Sequence, residues 1–89
     1  MKAAAADVTI TQENKAFSME EVTIGAGDSI TFVNNDSTTH NVYSRSQGNK
    51  FDSGAQAPNE SMTQVFSSPG KVQVRCAIHP RMKLTVNVE

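Results

Sequence analysis

The sequence predicts an all-β fold, a sandwich of seven or eight short strands, and three observations predict it. β-Branched residues alternate with polar ones in run after run, the period-two signature of strands with one buried face. Turn signals recur about every ten residues, a spacing typical of sandwiches. No stretch keeps the 3.6-residue period of an amphipathic helix long enough to matter.

In chain order, Val8-Thr9-Ile10-Thr11, Val22-Thr23-Ile24 and Ile30-Thr31-Phe32-Val33 read as the first three strands. Gly25-Ala26-Gly27-Asp28 separates the second from the third and is expected to close a hairpin between them, since glycine permits the positive φ that tight hairpins need. The turn-rich stretch Asn34 to Thr39 delivers the chain to His40-Asn41-Val42-Tyr43, which places His40 at the start of a strand. From Ser44 to Asn59 the chain is polar and without period, as expected of a surface loop crossing between sheets. Ser61 to Phe66 resumes a strand, Ser67-Ser68-Pro69-Gly70 turns it, and Lys71 to Arg75 alternates up to Cys76. The run Met82 to Val88 closes the fold.

Length and charge narrow the functions open to such a chain. At 89 residues there is surface enough for one core, so residues 7–89 are read as one domain. Residues 1–6 are read as a flexible remnant of a signal-cleavage site behind an added initiator Met, which implies a periplasmic location. A formal net charge of −1 gives no field to attract nucleic acid. No apolar run approaches the ~20 residues that span a bilayer, so membrane insertion is not expected. One cysteine forms no internal disulfide, and Cys76 is therefore either a buried, inert thiol or a chemically employed one.

Cys76-x-x-His79-x-x-Met82 sets three soft or borderline ligands in one loop between strands, and His40 is the other histidine of the two in the chain. Two imidazoles, a thiolate and a weak thioether suit one copper ion cycling between Cu(II) and Cu(I). Zinc accepts the first three, but its fourth partner is ordinarily Cys, His, a carboxylate or water. Iron–sulfur clusters and c-type haem need more cysteines than one. Taken singly, Met82 reads as a core filler, Cys76 as a small buried hydrophobe and His40 as a hydrogen-bonded histidine. Jointly, the four consume both histidines and the only thiol, and two of those three fall at strand–loop junctions where a sheet can hold them.

These residues carry a resemblance. From Phe17 to Val88 the chain resembles the cupredoxins, the type 1 blue-copper proteins, and the Cys76-Ala77-Ile78-His79-Pro80-Arg81-Met82 loop resembles the amicyanin branch. It departs from that branch at Arg81 and Val74, where aromatic residues are usual. The resemblance implies a Greek-key sandwich with copper at one end, and a bond from Asn41 to the backbone beside Cys76 that locks the loop. It implies a soluble electron carrier that is not an enzyme, a monomer whose redox partners dock transiently near His79. Arg81 and Arg75 would then raise the potential or serve docking. The competing reading is a periplasmic copper carrier that passes the ion rather than the electron.

Overall fold

A computed structural model describes residues 6–89, and the expected remnant over 1–6 lies outside the described residues except for Ala6. Among the described residues nine strands form: β1 (Asp7–Glu13), β2 (Ala16–Phe17), β3 (Glu21–Ile24), β4 (Ser29–Asn34), β5 (Val42–Ser44), β6 (Phe51–Asp52), β7 (Ser61–Val65), β8 (Gly70–Cys76) and β9 (Lys83–Val88). The seven long runs read from the sequence are all present. The two additions, β2 and β6, are each two residues long, too short to carry a period.

The strands make two sheets, ordered β2-β1-β4-β7 and β3-β9-β8-β5-β6. Within them β1 runs parallel to β4 and β3 parallel to β9. Parallel neighbours cannot be joined by a tight turn, so the chain crosses repeatedly from one sheet to the other, as a Greek-key sandwich requires. Alternation sends one face of each strand inward. β4 buries Ile30, Phe32 and Asn34, and β9 buries Leu84, Val86 and Val88.

Four phenylalanines from four separate segments run through the interior in a chain of ring contacts. Phe17, Phe32, Phe51 and Phe66 follow one another at centroid distances of 6.3, 6.0 and 5.7 Å. Two of these contacts are edge-on and one is stacked, the arrangements aromatic quadrupoles favour. This column ties the otherwise polar 44–59 connection to the core through Phe51.

The hairpin expected at Gly25–Asp28 does not form: β3 and β4 belong to different sheets. The turn is tight, with Gly27 at φ 94° and the Asp28 N–H donating to Gly25 O at 3.0 Å. The Gly25 amide donates to Asp28 Oδ2 at 2.8 Å within the turn, but the two central amides bond beyond the ends of other strands, Ala26 N to Glu89 O and Gly27 N to Phe66 O, both at 2.8 Å. A glycine turn signals a change of direction, and only the pairing of its flanks decides between a hairpin and a corner. The true two-residue hairpin joins β1 to β2 at Asn14 and Lys15, which adopt φ of 54° and 58°. Asparagine tolerates that left-handed geometry best after glycine.

The 44–59 connection does cross between sheets, from β6 to β7. It is not wholly superficial, because Asn49 and Gln56 are buried in it. Both amides satisfy backbone groups of neighbouring segments: Asn49 Nδ2 donates to Ser68 O at 2.8 Å and Gln56 Nε2 to Phe32 O at 2.9 Å.

Candidate metal centre

One end of the sandwich is built on the β8–β9 pair, whose strands run side by side from Gly70↔Val88 to Arg75↔Lys83. β8 ends on Cys76, paired with Val42 of β5, so the thiol sits on a strand held from both sides. The chain then loops outward through Ala77 and Ile78, and Met82 N–H donates back to His79 O at 3.0 Å, which tightens the loop into a turn. Met82 returns inward with 1% of its surface exposed.

His40 stands two residues ahead of β5 in a bridge with Gln56. Its amide donates to Gln56 O at 3.0 Å and its carbonyl accepts from Gln56 N at 2.7 Å. The Gln56 side chain, in turn, accepts from Gln12 Nε2 at 2.7 Å, while Asn34 Nδ2 donates to Gln56 O at 2.8 Å. His40 is therefore positioned by a buried amide network reaching across to β1 and β4, and its own side chain is fully buried.

Three donor atoms converge here. The Nδ1 atoms of His40 and His79 lie 3.1 Å apart, and each is 3.7 Å from Cys76 Sγ. All three fall within 4.8 Å of one another, a spacing that can hold a metal ion. Burial grades outward: His40 and Cys76 are buried, whereas His79 is half-buried. The structure brings these three expected ligands together and places Met82 in the core, at the end of the loop that carries His79.

The groups behind the ligands fit a cation. Asp36 Oδ2 lies 2.9 Å from His40 Nε2 and also accepts from the Lys15 amide at 2.8 Å. The Lys15 bond, with the His40 bond next, holds the Asp36 carboxyl down to about 2, so it is ionised at neutral pH and only accepts. His40 Nε2 must then carry the proton, which leaves the Nδ1 lone pair facing the cluster. Burial, reinforced by the neighbouring His40 and Lys15, lowers the pKa of His79, which favours the neutral imidazole that a metal requires. At the sulfur, the Asn41 amide lies 3.3 Å from Sγ and stabilises negative charge there.

The lock expected from Asn41 is present but made by main chain. Asn41 O accepts from Ala77 N at 3.3 Å, while its side-chain amide donates to Asp52 Oδ1 at 2.8 Å. The Asn41 Oδ1 atom is buried without a partner. Asp36, Gln56 and Gln12 escaped the sequence reading. The available signal for Asp36 was its place four residues before His40 in a turn-forming Asn-Asn-Asp run; for the two glutamines there was none.

The loop also opens onto a groove of about 400 Å³ lined by Asn14, Lys15, Ile78, His79, Pro80 and Arg81. No helix among the described residues is long and apolar enough to cross a membrane.

Comparison with known proteins agrees with this geometry. The family model of copper binding proteins of the plastocyanin/azurin family matches residues 4–89. Amicyanin-alpha of Methylorubrum extorquens is 34% identical over 77 residues, which cover 82% of this chain and 64% of that protein. The methylamine utilization protein MauL of the same organism is 33% identical over 63 residues, or 70% of this chain and 55% of that one. The chain thus spans less than two thirds of the length of either relative. A reduced Cu(I) amicyanin variant superposes with a TM-score of 0.85 at 20% identity, covering 100% of this chain and 86% of that one. A match over nearly the whole chain, on a sandwich that gathers two imidazoles and a thiol at one end, makes this protein a member of the plastocyanin/azurin family of copper-binding proteins, the cupredoxins.

Proposed function

We propose that the protein is a small electron carrier of the type 1 copper class, in which His40, Cys76 and His79 would hold the ion and the Met82 thioether would add a fourth, weaker donor. The observation that carries this reading is the convergence of two Nδ1 atoms and one sulfur within 4.8 Å, with a single half-buried imidazole at the surface. Copper, when bound, supplies a one-electron Cu(II)/Cu(I) couple.

The chain's own residues do the rest. Cys76 gives up its proton on loading, and the Asn41 N–H stays on the sulfur. Asp36 and the Gln56 bridge fix His40 by bonds that do not involve the metal. A holder set by such contacts moves little when the charge on the metal changes, which keeps reorganisation small. His79 offers its ring edge to a redox partner, while the buried His40 and Cys76 exclude water. Both histidines of the chain are used in this one cluster, which leaves no imidazole for the second copper of an oxidase or reductase.

The test is the visible spectrum of purified protein on adding Cu(II), then ascorbate. An intense thiolate-to-copper band that bleaches and returns, and that Cys76→Ala abolishes, is the expected result. A colourless complex that yields its copper readily to a chelator would overturn the reading in favour of copper carriage.

A further inference from the structure

On the outer face of the five-stranded sheet, Tyr43 of β5 stands opposite Arg75 of β8. Both strands alternate, turning Val42 and Ser44 inward on one and Val74 and Cys76 on the other, so Tyr43 and Arg75 project together to the outside. Arg45 follows, its guanidinium carbon 5.4 Å from the centre of the Tyr43 ring. The Gln73 amide donates to Ser46 Oγ at 2.9 Å, which draws the chain beyond β5 against β8. Between these residues runs a groove of about 250 Å³ lined by Tyr43, Arg45, Ser46, Gln73 and Arg75. It shares no lining residue with the groove at His79.

This second groove is lined by donors short of acceptors. Among the described residues neither arginine forms an ion pair; the one ion pair joins Asp36 to His40. Arg75 Nε is buried and has no hydrogen-bond partner, a costly omission for a charged group. Gln73 Oε1 accepts from Thr85 Oγ1 at 3.4 Å, which leaves Gln73 Nε2 to donate elsewhere. The Tyr43 hydroxyl has no bonded partner among the described residues.

No carboxylate lines the groove, and the two on the same face of the sheet are engaged elsewhere. Asp52, paired with Tyr43 across β6, accepts from Gly54 N and Asn41 Nδ2, both at 2.8 Å. Those bonds, more than the charge of Arg45, hold its carboxyl below the ordinary range. Glu21 lies two strands from Gln73, across Thr85, and accepts from Asn87 Nδ2 at 2.7 Å. On its other side Arg75 is paired directly with Lys83 of β9, and like charges so placed oppose folding when nothing offsets them.

We infer that this groove binds a small free oxyanion of the phosphate class. A guanidinium fork grips two oxygens of such an anion at once. Arg75 turns its Nε and one Nη onto one edge, while Arg45, stacked over Tyr43, meets another. Gln73 Nε2 and the Tyr43 hydroxyl donate to what remains. A divalent anion offsets both arginines and relieves the repulsion between Arg75 and Lys83. The site uses none of the clustered donors His40, Cys76 and His79, and it stands whether or not the protein carries electrons.

The experiment titrates the isotope-labelled full chain with sodium phosphate, at an ionic strength held constant with sodium chloride, and follows amide and arginine Nε–H resonances. Saturable shifts centred on 43–46 and 73–75, the Arg75 Nε–H among them, are expected. Arg45→Gln and Arg75→Lys should each weaken binding about tenfold or more; the lysine keeps the charge and removes the fork. Lys71→Gln, near the far end of β8, should change the affinity less than about twofold. Arg45 is exposed, so its variant keeps the test alive should Arg75→Lys fail to fold. Phosphate also stabilises folded proteins by exclusion from their surfaces, so thermal unfolding is compared between wild type and Arg45→Gln. Phosphate should raise the wild-type midpoint by more, and an equal rise would overturn the site. Shifts that spread evenly or never saturate would mean an adventitious ion only and would refute the proposal. Binding of O-phosphoserine more than about tenfold tighter than inorganic phosphate would overturn the free ion in favour of a phosphoryl ester on another molecule.

Discussion

Met82 has two roles to separate, filler and ligand, and a volume-conserving change separates them. Its side chain is 1% exposed and belongs to the core cluster. Truncation to Ala forfeits both roles and, for packing alone, should destabilise the metal-free protein by about 2–5 kcal/mol. Met82→Leu keeps nearly all the buried volume, so its cost should stay below about 1.5 kcal/mol. Urea unfolding of the metal-free variants checks both values. In the copper form the leucine removes the thioether and leaves a drier, three-ligand site, which favours the lower-charged Cu(I) state and raises the midpoint potential. If the weak axial contact contributes about 1–2 kcal/mol to the oxidised state, like a good hydrogen bond, the rise is on the order of 40–90 mV for a one-electron couple. Spectroelectrochemical titration reads it directly. A leucine variant with unchanged potential and an unchanged visible spectrum would show that Met82 only fills the core.

Further outcomes follow from the groups behind the ligands. Gln56→Leu removes the acceptor of Gln12 Nε2 and the donor to Phe32 O; with ~1–3 kcal/mol for each buried group left unpaired, urea unfolding should show a loss of about 2–5 kcal/mol, and copper release to a chelator should quicken. Asp36→Asn keeps the shape beside His40 but removes the charge, so the midpoint potential should rise; an unchanged potential would mean the carboxylate only positions the ring. The Asp36 carboxyl lies at about 2 in the fold against 3.8 free, so its contribution to stability is complete above 3.8 and is lost as pH falls from there towards 2. Acid unfolding of the metal-free wild type should steepen in that window, and Asp36→Asn should flatten it. Arg81 is exposed, so solvent screens it, and Arg81→Ala should shift the potential less than Asp36→Asn does. A larger shift for Arg81→Ala would show that it faces the metal rather than the partner.

The legible parts of this fold were those where chemistry is written in local pattern. Alternation in 8–11, 30–33, 71–76 and 82–88 identifies strands because one face of each is buried, and the sheets bury Ile10, Phe32, Val74 and Leu84 as that pattern requires. The Cys76-x-x-His79-x-x-Met82 spacing was legible because the loop is short and its ends are fixed by β8 and β9. Pairing was not legible. Parallel contacts such as Val22↔Val86 join residues far apart in sequence, and no local signal tells a corner from a hairpin, hence the misplaced turn at Gly25. The groups that orient His40 were hidden for a similar reason. Gln12, Asn34 and Gln56 look like ordinary surface amides until the fold buries them and leaves the backbone carbonyls of Phe32 and Thr38 in need of donors.

That network explains why the two halves of the site can come from such distant segments and still meet. His40 leads into β5, which pairs with β8 in one sheet, and it is braced from β1 and β4 of the other sheet through Gln56, Gln12 and Asn34, whereas Cys76 ends β8 and His79 and Met82 sit in the loop that follows. The candidate site therefore sits at the end of one sheet, and the buried amides of the other sheet brace its His40 side, where the two Nδ1 atoms lie 3.1 Å apart. The Asn41 main chain reaches both Sγ and Ala77 N, and Val42 pairs with Cys76 in the same sheet, so the two halves are coupled by backbone rather than by mobile side chains. A site held in this way owes its geometry to the fold and not to the ion. Of the three clustered donors, His79 is the one that is only half-buried and the one that rides on the loop between β8 and β9.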